Sequence, residues 1–125
     1  MRALSVRFPW AELIARGAKR IEWRSWRVSH RGPLLVVASR TVDVEACREH
    51  SIALGELRPG RAVCVVDLVD VVDVWASEDD DPDVDDALAD FAWRLRNPRR
   101  VRPVPVVGRA ALFHVDDALI RPLGK

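Results

Sequence analysis

The densest concentration of reactive side chains is the stretch GAKRIEWRSWR at residues 17–27, where basic groups, a carboxylate and two indoles fall within one short segment. Arg20 to Trp26 alternates in character, which predicts a strand carrying Glu22, Arg24 and Trp26 on one face. Ile21, Trp23 and Ser25 fall on the other face, and Trp23 is assigned to the core. Lys19 lies in the approach to that strand. An arginine fork suits phosphate or a base edge, an indole suits stacking, and a carboxylate accepts from an exocyclic amine. Together they fit a nucleotide. The same spacing fits equally an ion pair on a sheet surface with Trp26 as its cover.

Other chemistry is sparse. The chain has no Tyr, and no Ser-His-Asp arrangement is visible, so acid–base work falls to Glu22, Lys19 and the scattered His30, His50 and His114. Cys47 and Cys64 form no CxxC pair and read as small core residues. Cys47 and His50 have a helical ligand spacing but no neighbouring ligand, so no metal and no cofactor is expected.

The elements that must position these residues follow from periodicity and turn chemistry. Arg2 to Val6 reads as a strand, and Pro9 opens a helix of about two turns that Gly17 stops. Gly32-Pro33 marks a turn before the continuous apolar run Leu34 to Ala38, a buried strand. A weaker helix is expected over Asp43 to Leu54, then a turn at Pro59-Gly60. Ala62 to Trp75 is a long β-branched strand, and Asp67, Asp70 and Asp73 at every third position predict a bulge or bend in it. The acidic stretch Glu78 to Asp86 reads as a solvated loop leading into a helix start, with Val84, Leu88, Phe91 and Leu95 as the buried stripe. Trp93 falls on the opposite face as a cover, and Asn97-Pro98 ends that helix. Strands at Arg99 to Val107 and Arg109 to Val115 and a turn at Asp116 to Leu119 complete the chain. About six strands and three short helices in a short α+β chain suggest a small β-barrel with helices at its openings.

At 125 residues the chain is expected to be a single domain, 1–125. Its net charge of +1 conceals segregation: residues 1–40 hold nine basic and two acidic side chains, 41–90 three and fifteen, 91–125 eight and two. If the two basic ends meet, they form a positive face for an anionic partner. No apolar run approaches the ~20 residues of a membrane span, and the N-terminus lacks the apolar stretch of a signal peptide. A cytoplasmic protein without membrane association is expected.

The cluster at residues 17–27 also resembles the ASCH domains of the PUA-like superfamily. The similarity rests on Leu4-Ser-Val-Arg7, Pro9-Trp10-Ala11 and the pattern Gly-x-Lys-x-x-Glu-x-Arg at Gly17, Lys19, Glu22 and Arg24. It continues through Trp26 with Arg27, Arg31-Gly32-Pro33-Leu34, Ala38-Ser39, Asn97-Pro98-Arg99 and Pro103 to Val106. The resemblance implies a PUA-like barrel with a basic cleft lined by the Gly-x-Lys-x-x-Glu-x-Arg segment, binding RNA, a nucleotide or a modified nucleoside. In that reading Lys19 and Arg24 hold phosphate or a base carbonyl, Glu22 accepts from an amine and Trp26 walls the pocket. Arg7, Arg27 and Ser39 are second-tier ligand contacts, and Arg94, Arg96, Arg99, Arg100 and Arg102 extend the positive surface. The alternative is a small hydrolase, an amidohydrolase of a modified nucleoside or a ribonuclease, using Lys19 and Glu22. The amidohydrolase branch has a threonine where Glu22 stands here, so a glutamate would have to orient a water instead. A third reading is an interaction module whose acidic stretch docks a basic partner or folds back over the arginines.

Overall fold

The computed structural model describes residues 1–56, 58–75 and 90–123. The run from Leu34 to Ala38 explains the architecture. All five side chains are buried, with Leu34, Val36 and Ala38 in one apolar cluster and Leu35 and Val37 in another. A strand covered on both faces belongs in the middle of a layered domain.

That strand is β3 (Gly32–Val42), in a six-stranded mixed sheet with β1 (Arg2–Phe8), β2 (Ile21–Arg24), β4 (Ala62–Asp73), β5 (Phe91–Arg100) and β6 (Phe113–His114). The spatial order is β2-β5-β4-β3-β1-β6. Only β1 and β3 run parallel. Helix α1 (Trp10–Ala15) packs Ala11, Ile14 and Ala15 into the first cluster, and Gly17, at φ 75°, turns the chain out of it as expected. Helix α2 (Val44–Glu49) is capped by the Asp43 side chain, which accepts from the Ala46 amide at 3.0 Å. Among the described residues the remaining helical pieces are 3₁₀ turns at Leu54–Glu56 and Asp117–Leu119.

Two expectations are corrected. The sheet is not closed into a barrel: β2 and β6 are its free edges, of four and two residues. Strands that short cannot build a ladder around the remaining gap. What spans it is a side chain, the Arg24 Nη2 group donating to the Ser5 carbonyl of β1 at 2.9 Å. Nor does a helix run through Phe91 and Leu95. That stretch is strand β5, paired on one side with β2 and on the other with β4, so its backbone groups are satisfied by ladders. The rest of that expected helix, and the acidic stretch 78–86, lie outside the described residues.

In β5 the alternation of Phe91, Trp93 and Leu95 with Ala92, Arg94 and Arg96 is the strand period. Trp93 is fully buried rather than a cover, and Trp23, expected in the core, is half-buried. Asn97-Pro98 does not end an element but forms a bulge within it, two residues between Arg96 and Arg99 facing one between Asp67 and Val65. A bulge is where a strand tolerates proline, and Asn97 sits at φ 56°. Asp67 holds the bulge by accepting from Arg99 Nη2 at 3.1 Å and Asn97 Nδ2 at 3.4 Å. A second irregularity, between Leu68 and Asp70, puts Val69 out of register and accounts for the spacing of Asp67 from Asp70, whereas the register from Asp70 to Asp73 is regular.

A candidate basic cleft around the first edge strand

Glu22 is paired in register with Trp93, and directly paired residues project to the same side of an antiparallel sheet. Trp93 belongs to the first apolar cluster, so Glu22 is carried inward with it. Its exposure is 8%, and among the described residues it is the one buried side chain that is polar or charged.

The carboxylate lies between two cations. Lys19 Nζ is 3.6 Å from Oε2, and Arg24 Nη2 is 3.4 Å from Oε1. The ammonium also donates to the Ile21 carbonyl at 2.6 Å and lies 5.7 Å from the centroid of the Trp10 ring. Glu22 Oε2 and Arg24 Nε are buried without a hydrogen-bond partner. The arrangement is a compact lysine–carboxylate–guanidinium triad that fixes the approach to β2 and, through Ser5, the spacing of β2 from β1.

The positive surface lies just outside this triad. A cleft of about 550 Å³ is bounded by Gly17, Lys19 and Arg20 on one wall and Arg94, Arg96 and Asn97 on the other. Its floor is Ile14, Val66 and Leu95, and no acidic residue is among its described lining residues. The pairing of Ile21 with Arg94 brings the walls together, so the basic N-terminal and C-terminal thirds do meet. Arg94 and Arg96 owe their common direction to the strand period of β5. Reading Phe91, Trp93 and Leu95 as alternating would have put both arginines on one face of a strand; their place near Arg20 comes from the pairing of that strand with β2.

The seven expected ligand contacts are therefore divided. Lys19 lines the cleft, while Glu22 and Arg24 do not, and Glu22 is joined to it through the Lys19 ammonium. Trp26 packs edge-on to Trp93, with centroids 4.7 Å apart, and its carbonyl accepts from Trp93 Nε1 at 3.3 Å. Its open side borders a different cleft, of about 420 Å³, with Arg2, His30 and Leu112. Arg27 is exposed, 5.4 Å from the Phe91 ring and 3.8 Å from Asp73 Oδ2. Ser39 borders a third cleft, and Arg7 is exposed on β1. No group of three or more His, Cys, Asp or Glu among the described residues is arranged to hold a metal ion. No described helix is long and apolar enough to cross a membrane.

Comparison with known proteins bears on the whole chain. A family model described as "ASCH domain" matches residues 4–103. The chain is 28% identical to Activating signal cointegrator 1 of Homo sapiens over 130 residues, and equally to that of Mus musculus. The aligned region covers 93% of this chain but only 22% of either relative. Among solved structures, ASCH from Zymomonas mobilis superposes with a TM-score of 0.60 at 15% identity, covering 94% of this chain and 88% of that one. A serine-to-alanine variant of the same bacterial protein superposes at 0.59 with 17% identity, covering 93% and 88%.

Proposed function

Since this chain belongs to the ASCH family, matched from its first strand to Pro103, we propose that it binds RNA or a nucleotide-like ligand in the cleft walled by Lys19, Arg20, Arg94 and Arg96. The observation that carries the reading is the cleft's lining, where Lys19, Arg20 and Arg96 gather beside Arg94 on two paired strands and their approaches, with no carboxylate among the described lining residues. Guanidinium groups in such a groove track phosphates, and the apolar floor of Ile14 and Leu95 suits a ribose or base face. Glu22 and Arg24 hold Lys19 and the β2 edge in position without lining the cleft, and Trp26 supplies a stacking surface in a separate cleft. Arg27, Arg99 and Arg100 each lie within 4.0 Å of a carboxylate and so add little to the positive surface, which leaves Arg102 as the arginine that extends it.

Fluorescence anisotropy with a labelled single-stranded RNA tests this. Arg20→Ala and Arg96→Ala each weaken binding about tenfold, the worth of one charge-assisted contact. Unchanged affinity in the double variant would overturn the reading.

One observation keeps the hydrolase alternative in view: Glu22 Oε2 is buried, carries no hydrogen bond and lies 3.6 Å from an ammonium. That geometry could hold a water for attack on an acyl or phosphoryl centre, with Lys19 stabilising the oxyanion. Product analysis of acylated nucleosides and RNA incubated with wild type and Glu22→Gln decides it. Turnover lost in the variant supports the reading, and no turnover by the wild type ends it.

A further inference from the structure

Between Val6 and Phe8 of β1 the pairing with β3 jumps from Ala38 to Val42, so Ser39, Arg40 and Thr41 stand opposite Arg7 alone. Such a bulge throws its residues out of the sheet. The Ser39 hydroxyl closes it locally, accepting from the Thr41 amide at 3.2 Å, and Arg40 projects beyond. The Arg40 side chain crosses Gly60, where an added Cβ would stand 3.4 Å from Nε. Gly60 is at φ 72°, a conformation that glycine adopts without strain.

Facing Arg40 is the segment 106–110, and between them is a cleft of about 470 Å³ that shares no lining residue with the basic cleft around β2. Its polar contributors are Ser5, Ser39, Arg40 and Arg109, with no acid among its described lining residues. Arg16, Arg24, Arg27, Arg31, Arg99 and Arg100 each lie within 4.0 Å of a carboxylate. Arg40 and Arg109 have no such partner among the described residues. A second observation points the same way. The amides of 107–110 donate to no acceptor among the described residues, whereas Val106 just before them bonds the Gly60 carbonyl at 2.9 Å. Consecutive unpaired amides beside two unpaired guanidinium groups form a set of donors without acceptors, which is the chemistry that recognises an anion. Gly108 allows the segment to come this close: an added Cβ would lie 2.8 Å from Ser5 Oγ.

We infer that this cleft is a second anion site, separate from the one around β2, which takes a phosphoryl group between the Arg40 and Arg109 guanidinium groups and the 107–110 amides. The shared chemistry is a tetrahedral oxyanion, supplied either as free phosphate or as a phosphodiester of a longer strand.

Amide-resolved NMR titration separates these sources. The wild type is titrated with inorganic phosphate, with a short single-stranded oligoribonucleotide, and with chloride at matched ionic strength. Movement of the Gly60, Gly108 and Arg109 amides with phosphate assigns a free or terminal phosphoryl group, and movement with the oligonucleotide alone assigns a phosphodiester. Arg40→Ala and Arg109→Ala each raise the half-saturating concentration about tenfold, while Arg20→Ala and Arg96→Ala leave it unchanged. The inference is overturned if those amides move with neither phosphate source, move equally with chloride, or move undiminished in the Arg40→Ala and Arg109→Ala variants. Loss of this site alone leaves binding at the β2 cleft intact, and the reverse also holds.

Discussion

Glu22 shows how one side chain sets the geometry of a surface it does not reach. Its carboxylate stands between Lys19 and Arg24, so Glu22→Ala leaves two half-buried cations facing each other. Breaking a buried pair from one side costs more than the pair is worth, and we expect a loss of about 3 kcal/mol in urea unfolding. The alternation of residues 20–26 correctly put Glu22 and Arg24 on a common face. Which way that face pointed was illegible, because polar side chains are ordinarily expected outward and the residue that fixes the register, Trp93, was read on a helix. Gly108 offers a second test at this scale. Gly108→Ala forces a Cβ to within 2.8 Å of Ser5 Oγ, with Ser5 Cβ behind it at 3.4 Å. The expected cost of such overpacking is about 1–3 kcal/mol, smaller in a Ser5→Ala background, where a thermal-unfolding double-mutant cycle reads the difference. Cys64 is wholly buried, and that burial pushes its thiol up to about 12. With Cys47 also buried, a thiol reagent should find neither cysteine in the native protein and both on unfolding, at a rate set by opening.

At the scale of elements, the contact between α1 and β5 carries a pH dependence. Glu12 accepts from both Nη groups of Arg100 and from Arg16 Nε at 3.1 Å. Burial raises its pKa, but the hydrogen bonds and charges of Arg100 and Arg16 outweigh burial and hold the carboxyl below its ordinary value. A depressed carboxylate contributes stability that is present above its unfolded pKa of ~4.3 and is lost as the pH falls through the lowered folded value. Arg100→Ala should therefore lower Tm at neutral pH, and its difference from wild type should shrink as the pH drops below ~4. A difference independent of pH would contradict this. Strand identity was legible where one signal dominated, as in the apolar run of β3 and the bulged aspartate spacing of β4. It failed in β5 because Val84, Leu88, Phe91 and Leu95 also fit a helical stripe, and Asn97-Pro98 looks like a helix stop when it is a bulge held by Asp67. Closure failed for a related reason: a count of strands does not reveal that two of them are too short to ladder.

For the whole molecule, the pairing of β2 with β5 converts a segregated charge pattern into one basic groove. That outcome was legible as a condition, that the two basic ends should meet, although the strands that meet were only half identified. The match to a family gives the fold and leaves the ligand to the groove, since one architecture serves many sites. The central claim is that phosphates occupy the groove, and the most direct measurement is the salt dependence of RNA affinity. Each phosphate contacted on a single strand adds about 0.7 to the slope of log affinity against log salt. Wild type should show a steep negative slope, reduced by about that amount in Arg20→Ala and again in the Arg20→Ala, Arg96→Ala double variant. A flat response in the wild type, or a slope indifferent to both arginines, would contradict the account.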